Sequence, residues 1–96
     1  MIKNRKIGIL GAAKSGVSAA KLALEMGYKV ILSDIDKSKE INIESNNHLT
    51  IELGRHSNAI LSCDIIIISP GISPEQLMIK KAIDKGIPVI SEIEFA

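Results

Sequence analysis

Residues 11–16 have the composition and the position of a loop that binds phosphate. They follow the apolar run 7–10 and precede a segment with helical periodicity. A turn of small residues exposes backbone N–H groups, and the start of a helix adds partial positive charge, so an anion is stabilised at such a junction. The spacing Gly-x-Ala-x-x-Gly matches the dinucleotide-binding pattern except at its second glycine.

Each residue of this loop has a candidate role and a plainer alternative. Gly11 and Gly16 would serve the tight turn and the close approach of helix to strand. Ala13 stands where a glycine usually lets a pyrophosphate lie against the backbone, which disfavours an NAD pose. Lys14 offers a cation and Ser15 a hydroxyl to a phosphate; the alternatives are a solvated charge and a helix cap. The alternative for the whole loop is a turn that binds nothing.

Two other turns follow predicted strands. Asp34 ends the second strand, about 18 residues after Gly16, where a carboxylate can accept hydrogen bonds from a ribose or a base. The alternative is an exposed loop acid. Ser69, Pro70 and Gly71 follow the run Ile65–Ile68, and their glycine permits a positive φ or close backbone approach to a ligand. The alternative is a loop that only connects this strand to the next helix.

The remaining reactive side chains predict no catalytic centre. His56 has no nucleophile or paired carboxylate at a telling spacing and is predicted to be a surface or helix-start residue; His48 is predicted in a turn. Cys63 is the only cysteine, and its place before an apolar strand predicts a buried structural thiol. The sequence contains no metal-ligand motif and no Gly-x-x-x-x-Gly-Lys-Ser/Thr loop for ATP.

Continuous apolar runs alternate with helical segments along the chain. Strands are predicted at 7–10, 30–32, 48–53, 65–68 and 88–90, and helices at 15–26 and, capped by Ser73 before Pro74, at 73–85. Segments 37–45 and 56–61 are at best helical turns. Residues 91–94 resemble another helix start with two residues left, which predicts that the domain continues into a longer chain.

This alternation predicts one α/β domain over residues 1–96: a doubly wound, Rossmann-like, five-stranded parallel sheet of order 3-2-1-4-5. Ligands of such sheets bind beyond the carboxyl ends of the strands at the switch point, here between the first and fourth strands. Loops 11–16, 33–36 and 69–73 are expected to converge there.

Composition narrows the class of protein. Apolar residues make up 46% of the chain and aromatic residues 2%, so the core is aliphatic. The net charge is +1 with both signs interspersed, which argues against nucleic acid as a partner. No run approaches the roughly 18 apolar residues of a membrane span. A cytoplasmic protein is expected.

Taken together, the motifs resemble the Mur ligases, and among them the D-glutamate-adding members. The matching segments are residues 11–16, 33–34, 52–56 (Glu-Leu-Gly-Arg-His), 69–72 (Ser-Pro-Gly-Ile) and 86–94 (Gly-Ile-Pro-Val-Ile-Ser-Glu-Ile-Glu). The resemblance covers nearly the whole chain but only the first domain of that family.

The resemblance implies a three-domain ligase of peptidoglycan synthesis that depends on ATP and Mg²⁺. Its first domain binds the UDP part of UDP-N-acetylmuramoyl-L-alanine, and the later domains bind ATP and D-glutamate. An acyl-phosphate forms on the substrate carboxylate and is attacked by the amine of D-glutamate. The fragment 1–96 alone is expected to bind the UDP-sugar weakly and to catalyse nothing.

Site residues carried over by position fall into three groups: Lys14 and Ser15 for the diphosphate, Asp34 and Ile35 for uracil, and Ser69 and Gly71, with Pro70 between them, for the turn that closes on the nucleotide. Ala13 departs from a family glycine, and Ile35-Asp36 replaces a hydroxyl residue and an arginine. The uracil contacts would then rest on backbone groups and Asp34. The alternative function is an NAD-binding or ligand-sensing module of the same fold.

Overall fold

Parallel strands form the middle layer of the fold. The computed structural model describes residues 5–44, 46–68 and 77–91. Its elements are β1 (Lys6–Leu10), α1 (Lys14–Glu25), β2 (Lys29–Asp34), β3 (Leu49–Leu53), a 3-10 helix (Asn58–Ser62), β4 (Ile65–Ile68), α2 (Leu77–Asp84) and β5 (Val89–Ser91). The strands lie in the order β3-β2-β1-β4-β5 and every pairing is parallel. The predicted sheet is confirmed.

The sheet is buried on both faces because its central strands β1, β2 and β4 carry uninterrupted runs without polar side chains at residues 7–10, 30–32 and 65–68. Ile9 belongs to the core formed with α1, whereas its neighbour Leu10 belongs to the core formed with α2 and the 3-10 helix. Successive side chains of a strand point to opposite faces, so an uninterrupted apolar run suits a sheet covered on both sides. The α1 core is lined by small side chains, Ala19, Ala20 and Ala23, which let the helix lie close to the strands.

The carboxyl ends of β1, β2 and β4 lie side by side. Leu10, the last residue of β1, is in register with Ser33 of β2 and with Ile68 of β4. The loop after β1 therefore begins next to the loop after β2. The predicted convergence of segments 11–16 and 33–36 is confirmed, while segment 69–73 lies outside the described residues, as does most of the predicted helix start at 91–94.

Several boundaries differ from the sequence-based prediction. Strand β2 extends beyond the apolar run 30–32 at both sides, from Lys29 to Asp34, so that Asp34 ends the strand as predicted. Helix α1 begins at Lys14, and its N-cap is Ala13, which makes no side-chain capping bond. The cap alternative for Ser15 is therefore wrong, because this residue already lies inside the first turn.

Two short segments behave as the sequence indicates. Residues 37–44 contain no helix, and the turn predicted at 56–61 is the 3-10 helix Asn58–Ser62. Ser57 caps it by accepting the N–H of Ala59 at 3.2 Å. Cys63 is buried as predicted, and desolvation raises the pKa of its thiol to about 11. No helix among the described residues is long and apolar enough to cross a membrane.

Gly16 fixes the distance between α1 and the turn that precedes it. A Cβ built on Gly16 would lie far inside contact distance of the Gly11 carbonyl oxygen and 3.0 Å from its carbon. Gly11 itself has a φ of 103°, in the left-handed region that favours glycine. Both glycines are thus required by the backbone path, as the sequence predicts.

Gly16→Ala tests this packing. Alanine normally favours a helix over glycine by up to about 1 kcal/mol, but here the added carbon meets backbone that cannot move aside. We expect a loss of roughly 1–3 kcal/mol in the free energy of unfolding, measured by urea denaturation. Ser18→Ala, at an exposed position of the same helix, is the control and should change stability by less than about 0.5 kcal/mol. A Gly16→Ala variant as stable as the control would contradict the close approach.

Candidate functional site

The Asp34 carboxylate joins the two loops at the carboxyl edge of the sheet. Its Oδ2 accepts the backbone N–H of Ala12 at 2.7 Å, and its Oδ1 accepts the N–H of Asp36 at 2.8 Å. Next to it, the carbonyl of Ser33 accepts the N–H of Gly11 at 2.7 Å. Asp34 is half-buried, so it is not simply an exposed loop acid. Its side chain holds the β1–α1 loop against the end of β2.

The start of α1 presents N–H groups suited to an anion. The N–H groups of Gly11 and Ala12 are used by β2, and that of Val17 donates to the Ala13 carbonyl at 2.9 Å. Among the described residues, none accepts a hydrogen bond from the N–H of residues 14, 15 or 16. The first turn contains no acidic side chain, and Lys14 and Ser15 are exposed. This end of the helix can bind a phosphate through backbone donors and the positive end of its dipole.

A groove of about 520 Å³ lies beside the β2 loop. Its wall includes the exposed apolar side chains of Ile35 and Leu77, the cationic Arg55 and Lys81, and the imidazole of His56. A larger groove of about 770 Å³ runs along the start of β3. Because that groove is not at the carboxyl ends of the strands, the smaller one is the better candidate for a ligand of this sheet.

A polar cluster that the sequence analysis did not predict lies at the end of β2. The Ser33 side chain is fully buried, and its Oγ lies 2.6 Å from Nδ1 of His56, 3.0 Å from the Arg55 carbonyl and 3.3 Å from Oε1 of Glu52. Glu52 also accepts the N–H of Ser57 at 2.7 Å and its hydroxyl at 2.5 Å. His56, predicted as a surface or helix-start residue, is half-buried and directly precedes Ser57, the N-cap of the 3-10 helix.

Burial and hydrogen bonding shift both titratable groups of this cluster. Burial raises the pKa of Glu52, but hydrogen bonds from Ser57 and Ser33, with the nearby Arg55, outweigh it and hold the pKa below its ordinary value. Burial lowers the pKa of His56 and outweighs the opposite effect of Asp34 and Glu52. At neutral pH the cluster therefore pairs a carboxylate with an uncharged imidazole.

The structure brings together most of the predicted site residues. Those at the two adjoining strand ends are Gly11, Ala13, Lys14, Ser15, Gly16, Asp34 and Ile35. Ser69, Pro70 and Gly71 lie outside the described residues. Within the described ranges there is no group of three His, Cys, Asp or Glu side chains arranged for a metal ion.

Asp34→Asn tests the link between the loops. An amide has one acceptor oxygen, so it cannot replace both carboxylate bonds, and one backbone N–H then faces an NH₂ group. We expect faster hydrogen exchange at the Ala12 amide and a stability loss of about 1–3 kcal/mol. The matched control is Asp36→Asn, because the Asp36 side chain is exposed and accepts its hydrogen bonds from Ser38, within its own loop. Equal effects in both variants would refute the link.

Glu52→Gln tests the polar cluster through pH. A carboxylate whose pKa is lower in the folded than in the unfolded chain stabilises the fold fully above its ordinary value of 4.5. This stabilisation is lost as the pH falls through the lowered native pKa. The stability difference between wild type and Glu52→Gln, measured by urea denaturation, should therefore be largest near pH 7 and shrink towards pH 3. A difference that does not change with pH would show that Glu52 contributes only by packing.

Comparison with known proteins agrees with this architecture. A solved structure of UDP-N-acetylmuramate-alanine ligase MurC from Thermotoga maritima superposes with a TM-score of 0.65 over 94% of this chain and 21% of that chain, at 22% identity. At that identity the likeness establishes the fold and no more.

Sequence relatives are considerably more similar. UDP-N-acetylmuramoylalanine–D-glutamate ligase of Elusimicrobium minutum is 43% identical over 94 residues, which covers 98% of this chain and 21% of that enzyme. The ligase of the same name from Christiangramia forsetii is 44% identical over 95 residues, covering 96% and 21%. The chain thus spans about a fifth of the length of these relatives. The family model for the Mur ligase MurD-like N-terminal domain matches residues 5–91, and the chain belongs to that family.

Proposed function

We propose that this chain binds the UDP part of UDP-N-acetylmuramoyl-L-alanine, as the first domain of an ATP-dependent ligase that adds D-glutamate in cytoplasmic peptidoglycan synthesis. The observation that carries the proposal is the hydrogen bond from Ala12 to the Asp34 carboxylate. It holds the donor-rich start of α1 next to the groove that contains Ile35. An anion site and a groove for a base then adjoin, which suits a nucleoside diphosphate. The names of the relatives supply the identity of the sugar.

The diphosphate would lie at the start of α1. Its oxygens would accept from the N–H groups of residues 14–16, from the Ser15 hydroxyl and from the Lys14 ammonium. Charge-assisted bonds of this kind are roughly twice as strong as neutral ones. Ala13 is exposed at the turn, and its methyl group limits how closely the diphosphate can approach the backbone there.

The uracil would lie in the groove against Ile35. A flat base gains from contact with an apolar wall, and the exposed Ile35 and Leu77 provide one. Asp34 already accepts two backbone bonds, so its first role in this proposal is to hold the loops. Each of its oxygens still has a free lone-pair direction, and the predicted contact with a ribose or base N–H stays a prediction. The turn formed by Ser69, Pro70 and Gly71 is proposed to close over the nucleotide.

ATP, Mg²⁺ and D-glutamate would be bound by parts of the longer protein. The 96 residues contain no glycine-lysine loop for ATP, and the described ones contain no cluster for a metal ion. The chemistry of ligation is therefore assigned to none of the side chains described above.

A titration tests the proposal directly. We expect UDP and UDP-N-acetylmuramoyl-L-alanine to shift the amide resonances of residues 11–16 and 35, and we expect NAD to do so more weakly. Lys14→Ala should weaken UDP binding by about 1–2 kcal/mol, since a charge-assisted contact is lost at an exposed site. Lys21→Ala, on the exposed side of the same helix, is the matched control and should leave the affinity unchanged.

Three results would contradict the proposal in different ways. Tighter binding of NAD with no response to the UDP-sugar would favour a nicotinamide-binding module. No shift with either ligand would indicate a structural domain. Equal affinities for Lys14→Ala and Lys21→Ala would remove Lys14 from the site.

A further inference from the structure

The buried hydroxyl of Ser33 has three polar neighbours and one hydrogen to share. Its neighbours are the Arg55 carbonyl, Oε1 of Glu52 and Nδ1 of His56. The carbonyl and the carboxylate can only accept. If the Ser33 hydrogen went to Nδ1 of His56, neither the carbonyl nor the carboxylate would receive a hydrogen from Ser33. When Nδ1 carries the proton and donates to Ser33 Oγ at 2.6 Å, the Ser33 hydrogen is left for the carbonyl or the carboxylate, so this tautomer satisfies more of the contacts.

This tautomer also fits the surroundings of the other ring nitrogen, Nε2. His56 Nε2 is buried and has no hydrogen-bond partner among the residues that the structure describes. In the neutral ring protonated at Nδ1, this nitrogen is an acceptor without a hydrogen. A buried N–H without an acceptor is rarer in proteins than an unsatisfied acceptor, so the structure favours the same tautomer from both sides of the ring.

The hydrogen bond from His56 to Ser33 is one of several contacts that hold segment 54–57 against the end of β2. Gly54 donates its N–H to the Asp34 carbonyl at 2.8 Å, and Glu52 holds Ser57. On the opposite side, the same two β2 residues, Ser33 and Asp34, accept the N–H groups of Gly11 and Ala12. The end of β2 is thus held between segment 54–57 and the loop at the start of α1.

We propose that His56 is a positioning residue of the UDP site: by donating from Nδ1 to Ser33, it holds the end of β2 in the geometry that anchors the loop 11–16. The inference rests on the proposed function for its effect on UDP. The imidazole acts through Ser33 and Asp34 and need not touch the ligand.

If the neutral ring of His56 positions the loop, protonation of that ring in acid should disturb the site. A second proton would place an N–H on the buried Nε2, where no described residue accepts it. Asp34 on β2 and Glu52 on β3 favour this protonation, whereas burial opposes it and prevails, and Arg55 and Lys81 are the cations lining the same groove. The pKa of His56 therefore lies below its ordinary value of 6.5, and anchoring of the loop should weaken as the pH falls through this lowered pKa.

Three variants at His56 separate positioning from packing. Asparagine places an amide N–H where Nδ1 stands, glutamine places its amide further out near Nε2, and leucine fills space without a donor. We expect His56→Asn to keep UDP affinity within about threefold of wild type, and His56→Gln and His56→Leu to lose roughly tenfold. His48→Leu, which removes an exposed histidine, controls for the loss of an imidazole, and thermal unfolding of each variant shows that it is folded.

Two further measurements, one spectroscopic and one of binding, complete the test. Nitrogen-15 spectra of the wild-type ring should show the tautomer protonated at Nδ1. The ratio of the UDP affinity of His56→Asn to that of wild type should rise as the pH falls through the pKa of His56, which the same nitrogen spectra locate; the ionisation of UDP itself cancels in the ratio. A ring protonated at Nε2, a ratio that stays constant while the spectra show the ring gaining its second proton, or wild-type affinity in His56→Leu would overturn the proposal.

The test also separates this inference from the proposed function. If wild type fails to bind UDP, the proposed function fails. The tautomer and the hydrogen exchange of the Gly11 and Ala12 amides in His56→Gln then still decide whether His56 holds the loop. Unchanged exchange at both amides would overturn the positioning role.

Discussion

The charge-assisted hydrogen bond between the Ala12 N–H and the Asp34 carboxylate is the interaction on which the candidate site depends. Parallel strands place the β1 and β2 loops at one edge of the sheet, but they do not fix the loops relative to each other. Asp34 does so from the last position of β2, with one oxygen for each loop. The end of α1 that presents backbone N–H donors and the groove at Ile35 thereby become parts of one surface.

The approach of α1 to the sheet is the second constraint, and small residues control it. Gly16 allows the first turn to lie against the Gly11 carbonyl, and alanines line the face of the helix that covers the sheet. Larger side chains there would lift the helix and move its free N–H groups away from Asp34. Packing in the core therefore sets the position of donors at the surface.

Much of this arrangement follows from the sequence, because it depends on patterns that are local. Apolar runs of four or five residues, separated by helices, indicate a parallel sheet, and the right-handed crossover rule limits the strand order. The glycine spacing at residues 11–16 located the turn before α1 correctly. The exact first residue of α1 is harder to predict from the sequence, because a helix can begin without a capping side chain, as α1 does after Ala13.

The cluster around His56 could not be predicted in the same way. Ser33 meets His56 across 23 residues of sequence, and that contact depends on how β3 aligns with β2. One signal was available: a serine directly after an apolar strand, and a glutamate four positions before a histidine. These residues predict a polar cluster only once the register of β3 on β2 is known, because that register places Glu52 directly opposite Ser33.

This pairing has a consequence for how the chain avoids misfolded alignments. Among the described strands, β3 lies at the edge of the sheet and pairs only with β2. Its residues are exposed or half-buried, and the register of a strand is less strongly specified where burial is weak. Sliding β3 by one position would set Glu52 opposite Leu32 or Asp34, either stranding a carboxylate against an aliphatic side chain or confronting it with a like charge. The polar contacts that shape the candidate site thus also penalise the slipped sheets, so that the same side chains serve the site and the correct strand alignment.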